Sequence, residues 1–139
     1  FKQTNDLRFS KNEIICRFFE SLSDKSFLEL LFEIFGKKLS GKIDSFGSLY
    51  ENTDYLLPHD DRLEKRKIAY IYYLSDLKKG DGGELLFYTW KNKIPIKISE
   101  KLNPRFNDII LFEVSEKSFH SVSEVLKNKK RYAIAGWFH

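Results

Sequence analysis

Histidine is scarce in this chain, and two of its three histidines occur where they could bind a metal. His59 and Asp61 are separated by one residue, so on an extended strand their side chains would lie on one face. His120 follows much later, in a short apolar run. Two imidazoles and one carboxylate on one face of a divalent iron leave three adjacent coordination positions open. We therefore predict that these three side chains form a facial iron site.

Each part of this pattern also has an ordinary structural explanation. A His-x-Asp pair occurs by chance and commonly belongs to a turn or a capped strand end. A lone histidine such as His120 can be a hydrogen-bonded residue at a sheet edge. Taken separately, these explanations are favoured over metal binding. The order of the three residues, together with their predicted places on strands, favours the metal site.

Arg131 could hold an acidic cosubstrate beside that metal. It follows His120 by eleven positions, and we predict that polar residues 124–130 form a hairpin turn that returns Arg131 on the neighbouring strand. A guanidinium binds a carboxylate through two parallel hydrogen bonds, so it could hold the distal end of 2-oxoglutarate while the oxo-acid end chelates iron. Alternatively, Arg131 belongs to a basic loop, although it stands at the head of an apolar strand. By alternation, Ala133, Ala135 and Trp137 share its strand face, as a pocket wall or a tight core.

Two helices and about eight strands are predicted to position these residues. Apolar residues at three- and four-residue spacing predict helices over 11–22 and 24–35, with Ser23 or Asp24 as the cap of the second and Gly36 at its end. Short β-rich runs separated by polar or glycine-containing turns predict the strands. They are expected near residues 45–50, 55–59, 67–74, 84–90, 94–98, 108–113, 118–122 and 131–138.

This order of elements predicts an α+β, mainly β fold. A double-stranded β-helix, or jelly roll, closes that many short strands, although periodicity alone does not separate it from an ordinary sandwich. We expect a single domain over 1–139, with helices at about 11–36 packed on a core at about 42–139. A chain of 139 residues with 42% apolar content suits one packed core.

Composition bounds the setting of the protein. Charges interrupt every apolar run, so no membrane span is expected, and polar residues 1–10 do not resemble a signal peptide. The single cysteine, Cys16, excludes an internal disulfide; we predict a small buried core residue and an intracellular, cytoplasmic location. The net charge of +4 is concentrated near 65–67 and 127–130, as solvated loops or, alternatively, as a basic face toward a ribosome or other nucleic-acid assembly. The chain contains no Met, so we expect the coded protein to begin earlier.

Beyond single residues, the sequence resembles the 2-oxoglutarate/Fe(II) prolyl hydroxylases. It is most similar to the ribosomal-protein prolyl hydroxylases of yeast and animals, and more distantly to the hypoxia-sensing enzymes. The resemblance lies in residues 50–61, 66–74, 82–85, 119–125 and 131–139. It implies a jelly-roll core around the iron site. It departs in one respect, because the ribosomal-protein hydroxylases carry a second, non-catalytic jelly roll after the first.

The resemblance also implies roles for further residues. Tyr73 and Tyr50 match tyrosines that help to bind 2-oxoglutarate, and Arg66 and Trp137 match positions that face the substrate proline. His139 fits the terminal run of the family and is not expected to bind metal. The implied requirements are Fe(II), 2-oxoglutarate and O2, with ascorbate as a candidate reductant.

The expected activity is hydroxylation of a prolyl residue in a protein, giving hydroxyproline, succinate and CO2. A ribosomal protein is one candidate partner, whereas direct contacts with a membrane or nucleic acid are not expected. Two alternatives remain open: hydroxylation of free proline or another small metabolite, and a non-enzymatic jelly-roll binding module with a vestigial metal site. The presence of all three metal ligands and of Arg131 counts against the second.

Overall fold

Two capped helices precede the eight predicted strands. The computed structural model describes residues 1–63 and 65–139. Helix α1 (Glu13–Leu22) is capped by Asn12, and helix α2 (Lys25–Phe35) begins at Asp24, whose carboxylate accepts the backbone N–H of Ser26. Gly36, at a φ of 64°, ends α2. None of the helices in the described part of the chain is long and apolar enough to cross a membrane.

Nine strands are present within the described residues, and eight of them match the predicted positions. The additional strand, β1, has two polar residues, too few to leave a periodic signal in the sequence. The strands are β1 (Lys2–Gln3), β2 (Ile43–Tyr50), β3 (Leu56–His59), β4 (Ile68–Tyr73), β5 (Leu85–Lys91), β6 (Ile94–Leu102), β7 (Ile109–Glu113), β8 (His120–Val122) and β9 (Arg131–Phe138).

The strands form two antiparallel sheets. The major sheet has the order β1-β2-β9-β4-β7, and the minor sheet has the order β3-β8-β5-β6. From β2 to β5 and again from β7 to β9, successive strands alternate between the two sheets, which is the connectivity of a jelly roll. The predicted fold class is therefore confirmed.

Strand β4 shows how alternation divides the interior into two layers. Tyr70 packs with Leu22 of α1 and Leu31 of α2 in a cluster between the helices and the major sheet. Ile71 and Tyr73 point the other way, into a cluster with residues of the minor sheet such as Leu85. The site described below lies on this second side, between the sheets.

Two predictions about these elements are wrong. Cys16 is exposed, because Ile15, Phe18 and Phe19 face the core cluster and turn Cys16 toward solvent. Residues 124–130 do not form a hairpin, since β8 and β9 belong to different sheets. Val125 instead exchanges backbone hydrogen bonds with Thr53 and Asp54, which ties the segment to the turn after β2 before the chain crosses to the major sheet.

A candidate metal centre

The three predicted ligands converge at one end of the minor sheet. His59 ends β3, His120 begins β8, and the two residues are direct partners in the sheet register. Asp61 lies between them, with one carboxylate oxygen 3.5 Å from Nε2 of His59 and the other 3.3 Å from Nε2 of His120. One donor atom from each residue can be chosen so that all three lie within 4.8 Å of one another. Two imidazoles and a carboxylate at this separation are a donor set suited to non-haem iron.

Asp61 reaches this position by a route that the sequence did not predict. Strand β3 ends at His59, and Asp61 has a φ of 59°, in the left-handed region. The chain turns there, and the N–H of Leu63 donates to the carbonyl of Asp61 at 2.7 Å. Asp61 therefore lies past the end of the strand rather than on it, although its side chain does meet that of His59.

Backbone carbonyls orient both imidazoles toward the same space. Nδ1 of His59 lies 2.9 Å from the carbonyl of Leu57, and Nδ1 of His120 lies 2.8 Å from the carbonyl of Ser118. Because a carbonyl only accepts, each Nδ1 is the donor in these contacts, and each Nε2 faces Asp61. Burial, followed by the proximity of His120, lowers the pKa of His59, which favours the neutral form that binds metals.

Asp61 is held as a carboxylate by its neighbours. Burial would raise its pKa, but the contact with His120 and a hydrogen bond from Trp137 lower the pKa below its ordinary value. The indole N–H of Trp137 donates to Oδ2 at 3.0 Å. The sequence did not predict this contact, because 76 positions separate the two residues and no local pattern links them.

Arg131 is a buried cation at the other end of the same interior. It is 2% exposed; its Nε donates to the carbonyl of Gly83 at 3.0 Å, and its Nη2 contacts the hydroxyl of Tyr73 at 3.4 Å. Across residues 1–63 and 65–139, no carboxylate lies within ion-pair distance of its guanidinium. Burying a charge without a counter-ion is unfavourable, so this position suits a carboxylate supplied by a ligand.

Two tyrosines flank this cation. The guanidinium carbon lies 5.1 Å from the ring centroid of Tyr50 and 5.0 Å from that of Tyr73. Burial raises the pKa of Tyr50 to about 12 and also raises the pKa of Tyr73, so both hydroxyls stay protonated and can donate hydrogen bonds. The turn around Thr53, which has a φ of 73°, separates Tyr50 from His59.

One cavity between the sheets joins the candidate metal ligands to Arg131. Strand β9 contributes Arg131, Ala135 and Trp137 to its wall, so the face predicted to be either a pocket wall or a tight core lines a pocket. Tyr73 is not among the lining residues, but its hydroxyl contacts Arg131. The cavity also contains His59, Asp61, His120, Tyr50, Leu85 and Phe112. The donor set at one end and the unpaired cation at the other fit Fe(II) and 2-oxoglutarate.

Arg66 and Trp137, the predicted substrate residues, are brought together. Arg66 precedes β4, and its guanidinium carbon lies 3.4 Å from the ring centroid of Trp137. Its Nε is buried and has no hydrogen-bond partner among the described residues. Arg66 thus contacts Trp137, which lines the cavity, but is not itself among the residues that line it. His139 lies outside the cluster of candidate ligands, with Nε2 2.7 Å from Asp44.

We predict that Gly83→Ala weakens 2-oxoglutarate binding by about 10-fold, because it displaces a carbonyl that holds Arg131. Gly83 has a φ of 73°, and an added Cβ would lie 2.8 Å from a methyl of Leu77 and 3.3 Å from Cδ of Arg131. Gly80→Ala is the matched control, since Gly80 has a φ of 87° but lies near only Lys127. Calorimetric titration of metal-loaded protein measures the difference. Equal affinities in the two variants would contradict the role of Gly83.

Known proteins with similar sequences include two prolyl hydroxylases. The prolyl 3-hydroxylase OGFOD1 of Xenopus laevis is 41% identical over 142 aligned positions that cover all of this chain but 28% of the relative. The prolyl 3,4-dihydroxylase OGFOD1 of Ostreococcus tauri is 39% identical, covering 73% of this chain and 21% of the relative. The chain thus spans about a quarter of the length of these curated relatives.

A solved structure and a protein family are also similar to this chain. A Pseudomonas putida prolyl-4-hydroxylase superposes with a TM-score of 0.75 at 16% identity, over 99% of this chain and 67% of that one, which supports the jelly-roll fold. Residues 46–139 match the 2OG-Fe(II) oxygenase superfamily. Enzymes of this superfamily use Fe(II), 2-oxoglutarate and O2. On the strength of that match and of the relatives at about 40% identity, the chain belongs to the 2OG-Fe(II) oxygenase superfamily.

Proposed function

We propose that this chain catalyses the 2-oxoglutarate-dependent hydroxylation of a prolyl residue in a protein, with Fe(II) held by His59, Asp61 and His120. The observation that carries the proposal is that this donor set and the unpaired buried cation Arg131 line one cavity. When bound, the iron supplies O2 activation coupled to the conversion of 2-oxoglutarate to succinate and CO2.

The residues of the chain bind and orient the reactants in this proposal. Arg131 holds the distal carboxylate of 2-oxoglutarate, and the hydroxyls of Tyr73 and Tyr50 are the candidate donors beside it. Because Arg131 and the candidate metal ligands line one cavity, the oxo-acid end of a cosubstrate held by Arg131 would lie on the side of His59 and Asp61. Aromatic and aliphatic walls, including Phe112 and Leu85, exclude water from the reacting centre.

We assign the substrate side to Trp137 and Arg66. Trp137 offers a flat apolar surface in the cavity wall next to Asp61, and a proline ring packs well on such a surface. The guanidinium of Arg66, whose buried Nε has no partner among the described residues, is the proposed donor to a backbone carbonyl of the same peptide. The names of the two OGFOD1 relatives, both prolyl hydroxylases, support a prolyl substrate over a free metabolite.

The partner we propose is an intracellular protein with an exposed proline, and the resemblance in the sequence makes a ribosomal protein the first candidate. A solvated cationic surface fits an approach to such an assembly: Lys127 and Lys129 are exposed and flank Asp81. The single exposed cysteine is compatible with a reducing compartment.

Succinate release from 2-oxoglutarate, measured with and without proline-containing peptides, tests the proposal. We expect Fe(II)-dependent release that a suitable peptide stimulates, and a gain of one oxygen atom in that peptide by mass spectrometry. Stimulation by free proline but by no peptide would instead support a metabolite hydroxylase. No release under any condition, with iron and 2-oxoglutarate both bound, would support a binding module.

Arg66→Ala should raise the KM for the stimulating peptide by about 10-fold, because it removes a proposed hydrogen-bond donor to the peptide backbone. At saturating Fe(II), the slow release of succinate without peptide should be retained. Arg62→Ala is the control, since Arg62 belongs to the same loop but is exposed and paired with Asp60 at 2.8 Å. An unchanged KM in Arg66→Ala would remove Arg66 from the substrate site and leave the other assignments standing.

A further inference from the structure

Of the three candidate ligands, Asp61 is the one that does not lie on a strand. His59 and His120 sit on paired strands, whereas Asp61 lies beyond the end of β3 in a left-handed conformation. A carboxylate on a loop has several rotamers and two equivalent oxygens, so a metal site needs another group to fix it. The nearest candidate is on the opposite sheet.

Trp137 is placed to fix that carboxylate. Its strand, β9, is paired on both sides, and Trp137 itself stands between Asp44 of β2 and Ala69 of β4. From this rigid position the indole N–H donates to Oδ2 of Asp61 at 3.0 Å. The hydrogen bond occupies one oxygen of the carboxylate and leaves Oδ1, which lies 3.5 Å from Nε2 of His59, available to a metal.

The same loop that carries Asp61 also holds the indole. The guanidinium carbon of Arg66 lies 3.4 Å from the centroid of the Trp137 ring, and Phe46 packs on the indole at 5.5 Å. The indole is therefore fixed at its edge by Asp61 and over its face by Arg66. A residue that only filled the core would need neither contact.

We propose that Trp137 is a positioning residue for the metal-binding carboxylate of Asp61, and that Arg66 holds the indole in the required orientation. This inference rests on the proposed iron site, and it gives Trp137 a role that does not depend on the substrate. It predicts that removal of the indole N–H alone weakens metal binding. A Trp137 that only contacts substrate would leave metal affinity unchanged.

Trp137→Phe tests this, because phenylalanine keeps an aromatic face for Arg66 but has no N–H. Its matched control is Trp90→Phe, the same substitution at the other tryptophan of the chain, which is 36% exposed at the end of β5. Mn(II) is titrated into metal-free full chain, with free Mn(II) followed by its electron paramagnetic resonance signal. We expect a dissociation constant about 10- to 100-fold higher for Trp137→Phe, and the parental value for Trp90→Phe.

A second pair of variants keeps the test decisive if Trp137→Phe does not fold. Arg66→Met keeps the indole but removes the guanidinium that packs on it. We expect its Mn(II) affinity to be about 3-fold or more lower than that of Arg62→Met. The absorption spectrum of Co(II)-loaded protein should change in Arg66→Met and remain parental in Arg62→Met.

The possible failures are distinguishable. Equal Mn(II) affinities in Trp137→Phe and Trp90→Phe would overturn the positioning role and leave the iron site intact. If Trp137→Phe is unfolded, equal Mn(II) affinities in Arg66→Met and Arg62→Met would overturn the positioning role in the same way. If His59→Ala bound Mn(II) as tightly as the parent protein, the proposed function and this inference would both be overturned.

Discussion

Asp61→Asn should lower the affinity for divalent metal by at least about 100-fold and abolish 2-oxoglutarate turnover. Asparagine has nearly the same shape but lacks the negative charge, so the cavity loses the one anionic donor among its three candidate ligands. A directly bound ligand should matter more than the outer contacts that typically contribute 10- to 100-fold. Mn(II) titration and succinate release are the two measurements.

Asp60→Asn is the matched control, because Asp60 is the adjacent carboxylate but pairs with Arg62 at 2.8 Å and lies outside the cluster. It should bind metal with parental affinity. The assignment of Asp61 would be contradicted if the two variants behaved alike, or if Asp61→Asn retained parental affinity.

Arg131→Met should raise the dissociation constant for 2-oxoglutarate by at least about 30-fold, while metal binding survives. The loss of a charge-assisted, bidentate contact in a buried site costs about 2–5 kcal/mol, part of which is the carboxylate left unpaired. Without 2-oxoglutarate, the variant should be at least as stable as the parent, because methionine removes a buried charge that has no carboxylate partner among the described residues.

Calorimetry and thermal unfolding, each with and without 2-oxoglutarate, measure these two effects. The cosubstrate should raise the Tm of the metal-loaded parent but not that of Arg131→Met. Tyr73→Phe should have a smaller effect, since it removes one neutral hydrogen bond. Lys130→Met is the control for loss of a cation, because Lys130 is exposed and pairs with Glu51. Parental 2-oxoglutarate affinity in Arg131→Met would refute the subsite.

Much of the fold could be predicted from the sequence because local patterns encode it. Burial on both faces makes β4 a short apolar run, and its alternation correctly separated Tyr70 from Tyr73. Asp24 and Gly36 mark the ends of α2 through hydrogen bonding and a left-handed φ, both of which are local effects. The convergence of His59, Asp61 and His120 was also predicted, since residue type and order were enough to suggest it.

Other features depend on tertiary contacts that no local pattern records. The left-handed turn at Asp61 and its hydrogen bond from Trp137 arise where the two sheets meet. The crossing from β8 to β9 was mistaken for a hairpin, because polar composition alone does not show that Val125 pairs with the turn after β2. Cys16 was assigned to the core from an apolar run whose neighbours fill the buried face of α1.

A crystal structure of the chain with Mn(II) and 2-oxoglutarate, grown without O2, tests the central claim most directly. We expect one metal ion with Nε2 of His59, a carboxylate oxygen of Asp61 and Nε2 of His120 each at about 2.0–2.3 Å. We also expect the distal carboxylate of 2-oxoglutarate on the guanidinium of Arg131. A metal bound elsewhere, one that lacks any of the three ligands, or a 2-oxoglutarate molecule that leaves Arg131 without a carboxylate would contradict the account.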